Sequence, residues 1–277
     1  MRGSTSVGDG RLLLSEFLLV LRRRRNQVLL GLLALVTVLI GVAVDVSGPA
    51  RDGEGPAFLR SITDNGLFLS FTALVVSLPV FLPLVVSVVS GESIAGEAST
   101  GTLRYLLVVP VDRTRLLVVK LLSVVLFGLL AAVLVAVVGA VVGAVLFPIG
   151  ELRLLSGTTV SYGQGLLRLA GVALYVAAVL ATVAALGVFV STLTEVPIAA
   201  MAATALAVVL VEVLDAVPQL SALHPWLFTH DWLAFGDLLR DPVSVAGLGH
   251  GLLVQACWDA VLVTLAWARM TTRDVTS

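Results

Sequence analysis

Six long apolar runs, at 28–44, 67–89, 116–147, 166–190, 196–217 and 244–267, are separated by short polar stretches along this chain. Each is near or above the ~17–25 residues that a helix needs to cross the hydrocarbon of a bilayer. A strand in lipid would leave its backbone groups unpaired, so the runs are expected to be helices. No segment alternates apolar and polar residues in the manner of a membrane barrel. The third run is long enough to begin as a cytoplasmic helix or to tilt. Within the second, Pro79 and Pro83 stand four apart in SLPVFLPLVV. Each lacks a backbone donor and clashes with the turn before it, which predicts a kink or local unwinding. In a transporter such a break serves as a hinge or a path-lining segment. In the third run, Gly139 and Gly143 form a GxxxG beside Ala132, Ala136, Ala140 and Ala144. Small residues let helices approach closely, within the bundle or at a subunit seam.

Composition supports the same class. Hydrophobic residues make up 58% and charged residues 13%, with a mean hydropathy of +1.08; soluble domains carry about 25% charged residues. The expected fold is all-α: one membrane domain over 1–277, with six transmembrane helices. With the N-terminus inside, the cytoplasmic segments hold Arg2, Arg11, Arg22, Arg23, Arg24, Arg25, Arg104, Arg113, Arg115, Lys120, Arg269 and Arg273. The outer segments then hold Arg51, Arg60, Arg153, Arg168 and Arg240. That excess obeys the positive-inside bias, and six spans return the C-terminus to the cytoplasm. The net charge of −1 gives no reason to expect a nucleic-acid partner.

The N-terminus does not read as a cleaved signal, because its first apolar run exceeds a 7–15-residue core and no A-x-A-type site follows. Residues 11–25 read as an interfacial amphipathic helix. Leu14, Phe17, Leu18 and Leu21 recur at helical spacing opposite Arg11, Ser15 and Arg22. The segment 218–243, between the fifth and sixth runs, reads as an extracellular re-entrant or interfacial piece. Its apolar stripe of Trp232, Phe235, Leu238 and Leu239 predicts a short helix in the outer leaflet. His224 and His230 flank Pro225-Trp226, with Asp231 next, but this lacks the count and spacing of a metal site, and no metal is expected. The single cysteine, Cys257, can make no intrachain disulfide.

No catalytic constellation is evident. A P-loop needs G-x-x-x-x-G-K-[ST], and the sole lysine, Lys120, lies between Val119 and Leu121. The chain is therefore not expected to be an enzyme or to hold a cofactor. Ionisable residues inside apolar runs mark candidate path or gate positions, because a central carboxylate costs about 2.5–3.5 kcal/mol on insertion scales. Asp259, with Gln255 one turn before it, lies in the sixth run; Glu212 and Asp215 lie near the outer end of the fifth. Together with Pro79 and Pro83 they form the candidate translocation set. An ion-coupled secondary transporter using Asp259 is the alternative reading, and such proteins usually carry inverted repeats. No similarity between residues 28–147 and 166–267 supports one.

The stretch 91–120, GESIAGEASTGTLRYLLVVPVDRTRLLVVK, carries the most specific pattern. Two carboxylates, Glu92 and Glu97, precede Ser99-Thr100-Gly101-Thr102; Pro110 then breaks the chain before Arg113 and Arg115. Gly96-Glu97, Gly101-Thr102-Leu103, Leu106-Leu107, Pro110, Arg113, Leu116 and Lys120 resemble the cytoplasmic loop of type-2 ATP-binding-cassette permeases. The resemblance implies a cytoplasmic coupling helix over 91–115, with Glu92, Glu97, Gly101, Thr102, Arg104 and Arg113 at the contact with an ATPase. It further implies the membrane subunit of an exporter in the bacterial inner membrane, working as a homodimer or with a sister permease. ATP and magnesium would be bound by separate cytoplasmic subunits. A drug-like, amphipathic or hydrophobic cargo is the expectation from the family.

Overall fold

A computed structural model describes residues 5–47, 65–99 and 113–272. The chain there forms eight α-helices: α1 (Thr5–Arg22), α2 (Arg24–Ser47), α3 (Phe68–Ser77), α4 (Phe81–Ser99), α5 (Arg113–Leu146), α6 (Tyr162–Leu193), α7 (Pro197–Ala216) and α8 (Val245–Thr272). Six of these, all but α1 and α3, are long and apolar enough to cross a membrane.

The second apolar run is not one helix. It is split into α3 and α4 by a turn at Leu78–Val80 that contains Pro79. Pro79 offers no N–H and crowds the preceding turn, so the helix cannot run through it. Pro83 falls in the first turn of α4, where a missing donor has no helical acceptor to lose. Two prolines four apart thus end one helix and begin the next, in line with the expected local unwinding.

Local signals set the other boundaries. Ser161 and Gln164 form a reciprocal capping box that starts α6, and Pro197 occupies the first turn of α7. Asn26 is buried and donates to the Val20 carbonyl at 2.8 Å, satisfying the end of α1 where the chain turns into α2. At about 1.5 Å rise per residue, the 34 residues of α5 reach about 51 Å. That exceeds the ~30 Å hydrocarbon core.

α6 is the centre of the bundle. Seventy-two per cent of its most apolar stretch is buried, against 17% for α2 and for α7. It packs on α4, α5, α7 and α8, while α5 carries α1, α2 and α3. Glycines set the closest approaches. A methyl at Gly143 would meet the Gly66 carbonyl oxygen at 1.9 Å, and one at Gly139 would meet Ser70 Cα at 2.6 Å. The GxxxG face therefore packs inside this chain, on the start of α3. Gly91 does the same between α4 and α7, where an added Cβ would lie 2.6 Å from the Met201 nitrogen.

One end of the bundle is closed by a cap. A two-residue hairpin pairs Leu152 with Val160; Leu155 N–H donates to the Leu239 carbonyl at 2.9 Å, and Arg168 donates to the Arg240 carbonyl at 2.8 Å. Residues 218–243 form three 3₁₀ turns, Pro218–Leu220, His224–Trp226 and Ala234–Leu239. The expected outer-leaflet stripe faces the protein instead: Trp232, Phe235 and Leu239 are buried in the core. Their apolar partners are α6 and α8, which the Ala234–Leu239 turn packs against, so lipid is not needed to cover them. α1 also differs in part from a simple surface helix. Phe17 and Leu21 pack on the core, whereas Leu14 and Leu18 remain exposed.

Candidate functional site

The end opposite the cap holds most of the basic residues among those described, together with Glu92, Glu97 and Arg113 of the expected coupling positions. α4 runs without a break to Ser99, so Glu92 and Glu97 sit on the continuation of a spanning helix and not on a separate amphipathic piece. Gly101, Thr102 and Arg104 lie outside the described residues, as does Pro110. Arg113 begins α5 and donates to the Met270 carbonyl at 3.0 Å and the Thr271 carbonyl at 3.2 Å. A guanidinium suits those last helical carbonyls, which carry the negative end of the α8 dipole. It also shows that the C-terminal end of α8 and the start of α5 share one end of the bundle.

Two ion clusters hold the C-terminal part of α4, and the second ties it to α5. Arg23 Nη1 lies 2.8 Å from Glu92 Oε2, and Arg25 contacts the same oxygen. Lys120 of α5 contacts Glu97 of α4 and lies 2.8 Å from Glu16 of α1. The second cluster is the drier one: the Lys120 side chain is 8% exposed, Glu97 18% and Glu16 20%, whereas Arg23 is 47% exposed. Coulomb attraction counts for more at the drier site, where water screens less. The sole lysine thus ties three helices together. A small cavity of about 50 Å³ lies among these side chains.

A third contact ties the same piece of α4 to the centre of the bundle. Ser191 of α6 accepts hydrogen bonds from the Ile94 and Ala95 amides, at 3.0 and 2.8 Å, and donates to the Gly91 carbonyl at 2.7 Å. All three bonds are buried, so this part of α4 is fixed directly to α6. Gly187, one turn before, leaves room for Ser90, whose Oγ would lie 1.8 Å from an added Cβ.

The candidate path residues do not converge on one place. Asp259 of α8 approaches Thr182 of α6 closely enough for the two side chains to interact. Even so, Asp259 Oδ1 and Thr182 Oγ1 are buried without a well-formed hydrogen bond among the described residues. Gln255 is buried and donates to the Phe228 carbonyl, so it holds the cap and is not free to line a path with Asp259. Glu212 is half-buried on α7, on a helix that packs against α4 and α6. Asp215, one turn later, contacts His230 of the cap. An apolar groove of about 570 Å³ opens between α5 and α6, lined by Val137, Val141, Ala144, Leu166 and Leu174 among others.

A search among curated proteins finds no match. A family model described as ABC-2 family transporter protein matches residues 12–211, from α1 through most of α7 and across both ion clusters. Membership carries a permease role, embedding in a membrane by several helices and pairing with a cytoplasmic ABC ATPase. With that match over more than half of its length, the chain belongs to the ABC-2 family of transporter proteins.

Proposed function

We propose that this chain is the transmembrane subunit of an ATP-driven exporter in a bacterial inner membrane, energised by separate cytoplasmic ATPase subunits. The observation that carries the reading is the braced basic end: α4 and α5 flank the 100–112 connection and are pinned by Lys120, Glu97 and Glu16. The excess of arginine at that end supports a cytoplasmic setting for it, through the positive-inside bias. ATPase closure against 100–112 then moves α4 and α5 as levers. Ser191 carries the displacement to α6, and the turn at Leu78–Val80 lets α4 move relative to α3. This is alternating access by transmitted rigid-body motion.

A second copy, or a sister permease, supplies the other half of the path; the apolar outer surfaces of α2 and α7 are its natural seat or are left to lipid. A groove of about 570 Å³ is in the size range of ligand pockets and favours an amphipathic or hydrophobic cargo. The chain itself hydrolyses no ATP.

The test is reconstitution. Purified chain is expected to hydrolyse no ATP until the cognate ATPase is added, and then to bind it stably. Hydrolysis by the verified pure chain would refute the reading. Within that complex, Glu97→Gln is expected to lower ATPase affinity and substrate-stimulated hydrolysis several-fold more than Glu92→Gln. Glu97 belongs to the drier cluster, and an exposed pair contributes only about 0–1 kcal/mol. Equal and negligible effects would reduce both acids to solvated charge. Asp259→Asn is expected to slow transport while leaving ATPase binding intact, because the acid is half-buried near Thr182 and its Oδ1 is buried without a hydrogen bond among the described residues. Transport at the wild-type rate at equal expression would assign Asp259 to packing.

A further inference from the structure

Beyond the family-matched stretch, the cap brings together residues that the sequence spacing did not join. Asp215 ends α7, and His224 and His230 come from the 218–243 segment. One ligand atom from each lies within 4.8 Å of the others. His230 Nδ1 is 2.7 Å from Asp215 Oδ1, and the two imidazole rings stand 5.6 Å apart, tilted by 37°. In the sequence Asp231 looked like the third member. It is not, because Asp231 is turned to His250, 2.7 Å away.

The hydrogen bonding sets up one imidazole for coordination. His224 Nε2 lies 3.1 Å from the Val217 carbonyl oxygen. A carbonyl only accepts, so Nε2 carries the proton and Nδ1 keeps its lone pair. Metal-bound histidines are commonly oriented in this way, the second nitrogen donating to a carbonyl or carboxylate. The ligand atoms of a tetrahedral zinc at ~2.0–2.2 Å stand roughly 3.4 Å apart. Closing the set from its present spread therefore needs only small side-chain adjustments. Two imidazole nitrogens and a carboxylate oxygen suit a borderline divalent transition ion and not magnesium or calcium, which prefer all-oxygen sites.

We propose that Asp215, His224 and His230 form a binding site for such an ion, of which zinc(II) is the representative, with a fourth position left to water. Asp215 is 23% exposed and His230 39%, so the ion enters from the aqueous side. Once bound, it fastens the end of α7 to the cap. The chain has one cysteine and so no intrachain disulfide to do this work. Binding of the folded state raises stability by mass action.

The test uses the full chain, purified on a histidine-free tag in detergent and freed of metal by a chelator. Zinc titration followed by calorimetry is expected to give one ion per chain. Cobalt(II) in its place should give the visible absorption of a tetrahedral site. His224→Ala and His230→Ala should each weaken binding about tenfold or more and abolish the zinc-dependent rise in unfolding temperature. Asp215→Asn preserves size and hydrogen bonding, so a loss there reports ligation and not misfolding. His250→Ala, in the other histidine–aspartate pair, should bind zinc as the wild type does. The proposal is overturned by substoichiometric binding, by any ligand variant binding zinc like the wild type, or by His250→Ala losing as much as the others.

Discussion

Lys120→Met is expected to lower the stability of the folded chain by about 3–5 kcal/mol, the cost of breaking a buried pair from one side. The Lys120 side chain is 8% exposed, and its ammonium is shared by Glu16 and Glu97. Methionine keeps the length and apolar stem but leaves two carboxylates crowded at a site where water screens poorly. Relief then comes from proton uptake, from water or from separation of α1 and α4 from α5. The measurement is the denaturation midpoint in detergent, with protease cleavage within α1 as a local report. Two further variants separate charge from packing. Glu97→Gln alone keeps the Lys120–Glu16 pair and should cost much less. The triple variant Lys120→Met, Glu16→Gln, Glu97→Gln removes all three charges and should recover most of the loss, since replacing a buried ion pair by neutral groups is often close to neutral. A single Lys120→Met variant as stable as wild type would mean that the cluster is well solvated. The bracing of α4 against α5 by these ions would then fall.

The positions of the helices were legible because lipid imposes one requirement on every span: a long apolar helix with its own backbone satisfied. The break at Leu78–Val80 was legible for the same reason, since Pro79 removes a donor that nothing in an apolar run replaces. Which face of each helix turns inward was not. α5 is apolar all round, so its pattern carries no stripe that distinguishes lipid from protein. Its inward faces are chosen instead by shape, through Gly139 and Gly143 against α3, and by Lys120, which lies deeper in the helix than Arg113 and Arg115. The pairing of Lys120 with Glu97 joins residues on different helices, and periodicity along either helix is silent about it. The stripe of Trp232, Phe235 and Leu239 is apolar at the expected spacing, but it meets protein and not lipid. An apolar face does not say which apolar medium it meets. The same blindness hid Asp215 from His224 and His230, because a ligand set contributed by a helix end and a separate loop has no fixed spacing.

The helix approach at Gly143 sets up the second large effect. Gly143→Val is expected to destabilise the chain by a few kcal/mol. The added Cβ would lie 1.9 Å from the Gly66 carbonyl oxygen and 2.6 Å from its carbon. Those atoms are backbone, so no rotamer change relieves the clash. Overpacking of this kind costs about 1–3 kcal/mol. Separation of the two segments also strains the bonds beside them: Gly66 N–H to the Pro148 carbonyl at 3.0 Å and Asn65 to the Gly150 and Glu151 carbonyls at 3.0 and 3.1 Å. Each contributes about 1 kcal/mol when buried and formed. Gly249→Ala is the matched control, since nothing lies within 4 Å of a Cβ there. A helical glycine replaced by alanine in open space should hold or raise the denaturation midpoint. Gly143→Val as stable as Gly249→Ala would show that α3 and α5 do not meet this closely. The oligomeric state decides between the two uses of a small-residue stripe. If the stripe were a seam between subunits, Gly143→Val would split the assembly while each chain kept its midpoint. The contact with Gly66 predicts the opposite: the fold of each chain weakens first, and any assembly is lost only with it.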